Sequence, residues 1–144
     1  MDDIRAVQWS NQALVLIDQT KLPTTETFVT CSQVNDVVDA IIRLVVRGAP
    51  ALGAVGGYGV AVAMLQGERE NWDAARLESE ITRIRDARPT AVNLAWGVDR
   101  VRPMVAGGVD AVLAEADRIA EEDEAANREL SRLGADWILS LIHI

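Results

Sequence analysis

The stretch RGAPALGAVGGYG, residues 47–59, decides how the rest of the chain is organised. It carries one charge, at its first residue, and five of its thirteen residues are glycine. Pro50 favours the first turn of a helix, where its missing N–H would be unpaired in any residue. Because small side chains let a helix approach its neighbours closely, the stretch predicts a tightly packed helix over residues 50–66 with an arginine at its entrance.

The bulk composition narrows the classes of partner. With 144 residues the chain is long enough for one domain with its own core. Its net charge of −8 disfavours a nucleic acid or an anionic membrane surface as partner. A small anionic ligand stays possible, because a pocket needs only a local positive field. The single cysteine and the absence of a signal-peptide pattern at the start favour a cytoplasmic location.

Residues 48–67 carry no charge and are long enough to cross a bilayer. Pro50 and six glycines lower the hydrophobicity of this segment, which favours a helix buried in a soluble core instead.

Residues 4–31 predict a small antiparallel sheet. Val7 and Trp9 alternate with polar residues, and an apolar run follows at 14–17 after a turn signal. Residues 27–30 are rich in β-branched and aromatic side chains and predict a third strand.

The apolar spacing changes to a helical period after the predicted sheet. It predicts a helix over 33–46, with Ser32 as its N-cap and Gly48 as its C-cap glycine. Further helices are expected after Asn71 or Asp73, over 91–106 with Thr90 as cap and a break at Pro103, and over 109–132. The predicted fold class is therefore α+β, a small N-terminal antiparallel sheet followed by a bundle of about five helices.

Two arginines precede predicted helix starts. Arg47 comes before Gly48 and Ala49, and Arg88 comes before a second helix. A helix N-terminus has unpaired N–H groups and a partial positive charge, so it attracts anions, and an arginine adds a planar fork that matches phosphate. Alternatively, Arg47 satisfies the last carbonyls of helix 33–46.

Other candidate sites are weaker. The glycines of 53–59 lack the dinucleotide-binding spacing, and the acidic run Glu121–Glu124 is typical of a solvated helix face. Cys31 has no general base, because the only histidine, His143, lies in the last six residues. Residues 1–138 thus contain a candidate phosphate site, with no catalytic group, metal site or cofactor site expected.

The last six residues, 139–144, look like a translated sequencing-adaptor end. We therefore expect a non-native tail after one domain at 1–138, made of a β cap at 4–31 and a helical part at 32–138. The alternative is a genuine apolar strand at this end.

Several motifs of the chain match one family pattern. They are VRGAPALG at 46–53 with GYG at 57–59, RPTAVNL at 88–94, LVLIDQTKLP at 14–23, and the stretch 120–128. In these residues the chain resembles the methylthioribose-1-phosphate isomerase family over 4–138. Leu52 replaces the usual isoleucine, Ala95 and Gly97 are smaller than the family norm, and Pro103 is unexpected.

The resemblance implies the activity and the site. Family members convert 5-methylthioribose 1-phosphate to 5-methylthioribulose 1-phosphate in L-methionine salvage, without a cofactor and commonly as homodimers. The family's substrate-binding positions fall on Arg47, Gly48, Ala49 and Arg88. Its catalytic cysteine and aspartate belong to a Rossmann-like C-terminal domain that is missing here, and Cys31 does not match that cysteine.

The resemblance therefore implies a fragment that is inactive alone. Two related functions stay open. One is a ribose-1,5-bisphosphate isomerase, and the other is a non-catalytic regulatory subunit of a translation initiation factor 2B-type complex.

Overall fold

The computed structural model describes residues 5–142 and begins with an antiparallel sheet in the order β1-β2-β3. Its strands are β1 Val7–Ser10, β2 Ala13–Ile17 and β3 Phe28–Cys31. In the register, Trp9 lies opposite Leu14, and Leu14 lies opposite Cys31. Leu14 and Leu16 are fully buried, since the central strand faces the helices. The predicted small antiparallel sheet is confirmed.

Five α-helices follow the sheet, as the sequence predicts. They are α1 Val34–Ile42, α2 Ala49–Glu70, α3 Ala74–Arg85, α4 Val92–Val101 and α5 Val109–Ile142. A 3₁₀ helix, Arg102–Gly107, separates α4 from α5. Pro103 lies in it and cannot supply the backbone N–H that would continue α4, so the predicted break is confirmed.

Helix α2 is the centre of the fold, and its glycines let α4 pack backbone to backbone against it. A Cβ atom on Gly97 would lie 2.0 Å from the Gly53 carbonyl oxygen. A Cβ atom on Gly56 would lie 2.6 Å from the Leu94 carbonyl oxygen. The small residue at Gly97 is thus required by this close approach. It holds the two helices close together where Gly53 meets Gly97.

Helix α2 also has the length and the mean hydropathy, 1.3, of a membrane-crossing helix. The other elements bury 78% of its most apolar window, as expected for the core helix of a globular fold.

The connection from α1 to α2 differs from the prediction. Helix α1 ends at Ile42 and not at 46, because Leu44 takes a left-handed conformation with φ of 62°. The Val45 N–H then donates to the Ala40 carbonyl and the Leu44 N–H to the Ile41 carbonyl, which is the Schellman pattern. Gly48 is consequently not the C-cap of α1.

Gly48 is instead the N-cap of α2, with φ of 98°. A side chain would be strained in this conformation, so glycine is the residue that starts the central helix here.

Two predicted N-caps were wrong by one residue. Gln33 and not Ser32 is the N-cap of α1, and Ala91 and not Thr90 is the N-cap of α4. Asp73 caps α3, as one of the two predicted alternatives. Helix α5 continues past 132 to the last described residue, so the origin of the final six residues stays a prediction. His143 lies outside the described residues.

Candidate functional site

A cavity of about 320 Å³ lies where the N-terminal ends of α2 and α4 meet. It is lined by Gly48, Ala49, Leu52, Arg88, Thr90, Ala91, Val92 and Asn93. Three of the four predicted substrate-binding residues, Gly48, Ala49 and Arg88, are therefore brought together. The fourth, Arg47, is outside the lining but precedes Gly48 directly and has an exposed side chain.

The two helix ends at this cavity lack side-chain caps. The N-caps of α2 and α4 are Gly48 and Ala91, neither of which has a side chain able to accept a hydrogen bond. In α3, by contrast, Asp73 accepts a hydrogen bond of 2.7 Å from the Arg76 backbone N–H. Uncapped N-terminal N–H groups carry partial positive charge and attract anions. Two such helix ends contribute to one cavity.

Arg88 of the lining and Arg47, the residue before Gly48, have no protein partner within the described part of the chain. Among the fourteen basic side chains, all but Arg47 and Arg88 have an ion pair, a hydrogen bond or an aromatic ring as partner within residues 5–142. Arg69, for example, donates to a backbone carbonyl, and Arg76 lies 5.0 Å from the centre of an indole ring. In a chain with 22 acidic residues, an arginine in the lining and another directly before Gly48, both without a partner among the described residues, fit an anionic ligand.

Ion pairs to both neighbours hold α4, which forms one wall of the cavity. Arg85 on α3 forms a two-pronged pair with Asp99 at 2.9 Å. On the other side, Arg100 donates to Glu115 at 2.7 Å and to Glu122 at 2.8 Å. The hydrogen bond from Arg100 lowers the pKa of Glu115, and the bond from Arg85 lowers the pKa of Asp99. These carboxylates are therefore charged at neutral pH, and their ion pairs hold α4 in place against α3 and α5.

Sequence reasoning missed the polar residues that complete the lining, Thr90 and Asn93. They stand three positions apart at the start of α4, so both lie at its N-terminal end. Their position in the RPTAVNL motif was the available signal. Asn93 also lines a neighbouring cavity of about 260 Å³ beside Trp96, which places it between two concave surfaces.

Two other reactive side chains, the thiol of Cys31 and the hydroxyl of Tyr58, are part of the packed core. Cys31 is fully buried, and burial raises the pKa of its thiol to about 12, which removes the thiolate at neutral pH. The Tyr58 hydroxyl donates to Asp117 at 2.7 Å, and its ring stacks on Trp9. Burial raises the pKa of Tyr58 as well. Within residues 5–142 there is no group of three or more histidine, cysteine or acidic side chains arranged to hold a metal ion.

Comparison with known families decides the relationship of the chain. The sequence pattern of the Initiation factor 2 subunit family matches residues 45–143. The chain belongs to this family. The matched residues include both helix ends at the cavity, Arg88 and Arg47.

Proteins similar in sequence to this chain include isomerases. Methylthioribose-1-phosphate isomerase from Xanthomonas oryzae pv. oryzae (strain MAFF 311018) is 47% identical over 143 residues, which cover 95% of this chain and 40% of the relative. A probable bifunctional methylthioribose-1-phosphate isomerase/methylthioribulose-1-phosphate dehydratase from Nocardia farcinica is 42% identical over 140 residues, covering 96% and 25%. This chain thus spans about two fifths or less of the length of these relatives.

Two crystal structures share the fold. Translation initiation factor eIF-2B, subunit delta, from A. fulgidus is 41% identical with a TM-score of 0.73, covering 84% of this chain and 38% of that one. The 5-methylthioribose 1-phosphate isomerase from Pyrococcus horikoshii OT3 is 28% identical with a TM-score of 0.67, covering 84% and 37%. The predicted α+β architecture is therefore that of the family.

Proposed function

We propose that this chain is the phosphate-binding part of an aldose–ketose isomerase acting on 5-methylthioribose 1-phosphate, in L-methionine salvage. The observation that carries the proposal is the meeting of two uncapped helix ends at one cavity that Arg88 lines. Arg47 directly precedes the lining residue Gly48, and neither arginine has a partner among residues 5–142. The names of the most similar relatives support the substrate. The resemblance further supports a homodimer of the full-length protein, and the single cysteine supports a cytoplasmic location.

The cavity offers complementary donors for a phosphate dianion. Arg88 presents a guanidinium fork that can donate two parallel hydrogen bonds to phosphate oxygens. Gly48 and Ala49 provide backbone at the start of α2, where no side chain beyond a methyl group blocks close approach. Arg47 is exposed and directly precedes Gly48, so in this proposal it adds a second positive charge next to the start of α2. In this proposal the phosphate anchors the sugar while its carbon 1 and carbon 2 exchange oxidation state.

Arg47 and Arg88 give the direct test in the full-length enzyme. We expect Arg47→Ala and Arg88→Ala each to lower kcat/KM by at least about tenfold, since a charge-assisted hydrogen bond contributes about 1.5–3 kcal/mol and 1.4 kcal/mol is tenfold. Arg76→Ala is the matched control, because Arg76 lies on α3 over Trp72. Unchanged kcat/KM in both the Arg47→Ala and the Arg88→Ala enzyme would contradict the proposal.

The 144-residue chain alone is expected to show no turnover. Isomerisation requires a group that moves a proton between neighbouring carbons, and the cavity lining contains no carboxylate, histidine or cysteine. A coupled assay for the ketose product on the purified chain checks this. Measurable product above the level of the buffer blank would contradict it.

One observation favours a second function. The A. fulgidus eIF-2B delta structure is more similar in both identity and TM-score than the P. horikoshii isomerase structure. A non-catalytic subunit of an initiation factor complex would use the same fold. Turnover of 5-methylthioribose 1-phosphate by the full-length protein separates the two functions, since only the isomerase produces the ketose.

A further inference from the structure

The turn after β2 holds the segment that carries Arg47. The backbone N–H of Gln19 donates to the Val45 carbonyl at 2.9 Å. The side-chain Nε2 of the same residue donates to the Arg47 carbonyl at 3.4 Å. One residue of the LVLIDQTKLP motif, which the proposed function leaves unused, thus binds two carbonyls of the connection between α1 and α2.

Gln19 is itself held by a locked turn. Asp18 is only 2% exposed, and its carboxylate accepts from the Thr20 backbone N–H at 3.0 Å and from the Thr20 hydroxyl at 2.6 Å. The ammonium group of Lys21 lies 3.6 Å from the other carboxylate oxygen. A hydrogen-bonded aspartate of this kind fixes the backbone of the residues that follow it. Gln19 therefore has little freedom to move away.

The hydrogen bond to Arg47 has a consequence for Gly48. In a planar trans peptide the carbonyl oxygen and the following N–H point in opposite directions. Binding of the Arg47 carbonyl by Gln19 therefore turns the Gly48 N–H away from the β2 turn. The Arg47 side chain has no partner among the described residues, and Gly48, which adopts a φ of 98°, has no Cβ atom to restrict its backbone. Gln19 is the side chain that restrains this peptide.

We propose that Gln19 is a positioning residue of the phosphate site, which sets the orientation of the Arg47–Gly48 peptide for a sugar phosphate bound at the cavity. The inference rests on the proposed function. Gln19 acts through Arg47 and Gly48 and does not itself line the cavity.

The experiment compares Gln19→Met and Gln19→Ala with the unchanged full-length enzyme. Methionine keeps the length of the side chain and removes the donor. We expect KM for 5-methylthioribose 1-phosphate to rise about three- to tenfold, the effect of one neutral hydrogen bond, with kcat within about twofold. The melting temperature should stay within about 2 °C, since the backbone bond to Val45 remains. Gln8→Met is the matched control, because Gln8 donates to the Arg5 carbonyl at 3.2 Å, outside the cavity lining.

The possible failures are distinguishable. The inference is overturned if both Gln19 variants have the same KM as the Gln8→Met control. The proposed function still stands in that case, provided that Arg88→Ala lowers kcat/KM. A lower kcat together with a lower melting temperature, at unchanged KM, also overturns the inference. That result indicates that Gln19 has a structural role only. Unchanged kcat/KM in both the Arg47→Ala and the Arg88→Ala enzyme overturns the proposed function, and the inference with it.

Discussion

Leu44 and Gly48 show why the end of α1 could not be predicted from the sequence. Sequence rules place glycine at the left-handed end of a helix, so the sequence predicts Gly48 as the C-cap of α1. The structure puts Leu44 in that conformation, and Gly48 starts the next helix. Burial of Val45 and Val46 explains the exchange, because the early turn brings both side chains into the core. Apolar period alone does not separate a helix from a buried turn that follows it.

Gly97 is the residue at which the packing of α4 against α2 is most sensitive. Gly97→Ala would place a methyl group 2.0 Å from the Gly53 carbonyl oxygen, so the helices must separate. We expect a loss of about 1–3 kcal/mol in the free energy of unfolding, the usual cost of overpacking, measured by urea denaturation.

Gly134→Ala is the matched control for this substitution. Gly134 also lies in a helix, and a Cβ atom there would meet nothing within 4 Å. Alanine should stabilise the chain by up to about 1 kcal/mol at this position, through its higher helix propensity. Equal stability of the Gly97→Ala variant and the unchanged chain would contradict the close approach of α2 and α4.

At the scale of the elements, the sequence was most informative where a pattern is local. The strand predicted from the alternation at Val7 and Trp9, the cap at Asp73 as one of two alternatives, and the break at Pro103 are all confirmed. Each depends on neighbouring residues and the backbone hydrogen bonds they allow. The length of α5 was underestimated, because its described C-terminal part is exposed and has no buried stripe that marks its extent.

The ion pair between α4 and α5 gives a pH prediction. Folding lowers the pKa of Glu115 below its ordinary value of 4.5, mainly through the hydrogen bond from Arg100. A lowered folded-state pKa adds stability that is fully present above the unfolded value and is lost as pH falls through the folded value. We expect the unfolding free energy to fall as pH decreases from about 5, and to fall less steeply in Glu115→Gln.

Urea denaturation over this pH range checks the prediction, with Glu68→Gln as control. Glu68 is an exposed residue of α2 without an ion pair among the described residues. Its substitution should leave the slope against pH unchanged. Parallel slopes for Glu115→Gln and the unchanged chain would show that the pair to Arg100 contributes nothing to acid stability.

At the scale of the whole molecule, the site depends on contacts that the sequence does not state. Gly48, Ala49 and Arg88 were predicted from their motifs, and the structure brings these three to one cavity. The prediction did not include Thr90 and Asn93 in the lining, since their placement follows from how α4 packs on α2. The role of each of these residues toward a ligand stays a prediction.

The central claim is that this cavity binds the phosphate of a sugar phosphate. Its most direct test is a ¹H–¹⁵N NMR titration of the 144-residue chain with 5-methylthioribose 1-phosphate and, separately, with unphosphorylated 5-methylthioribose. We expect the backbone amides of Gly48 and Ala49 and the Nε–H of Arg88 to shift with the phosphorylated sugar alone. Signals of these three residues that respond equally to both sugars, or to neither, would contradict the claim.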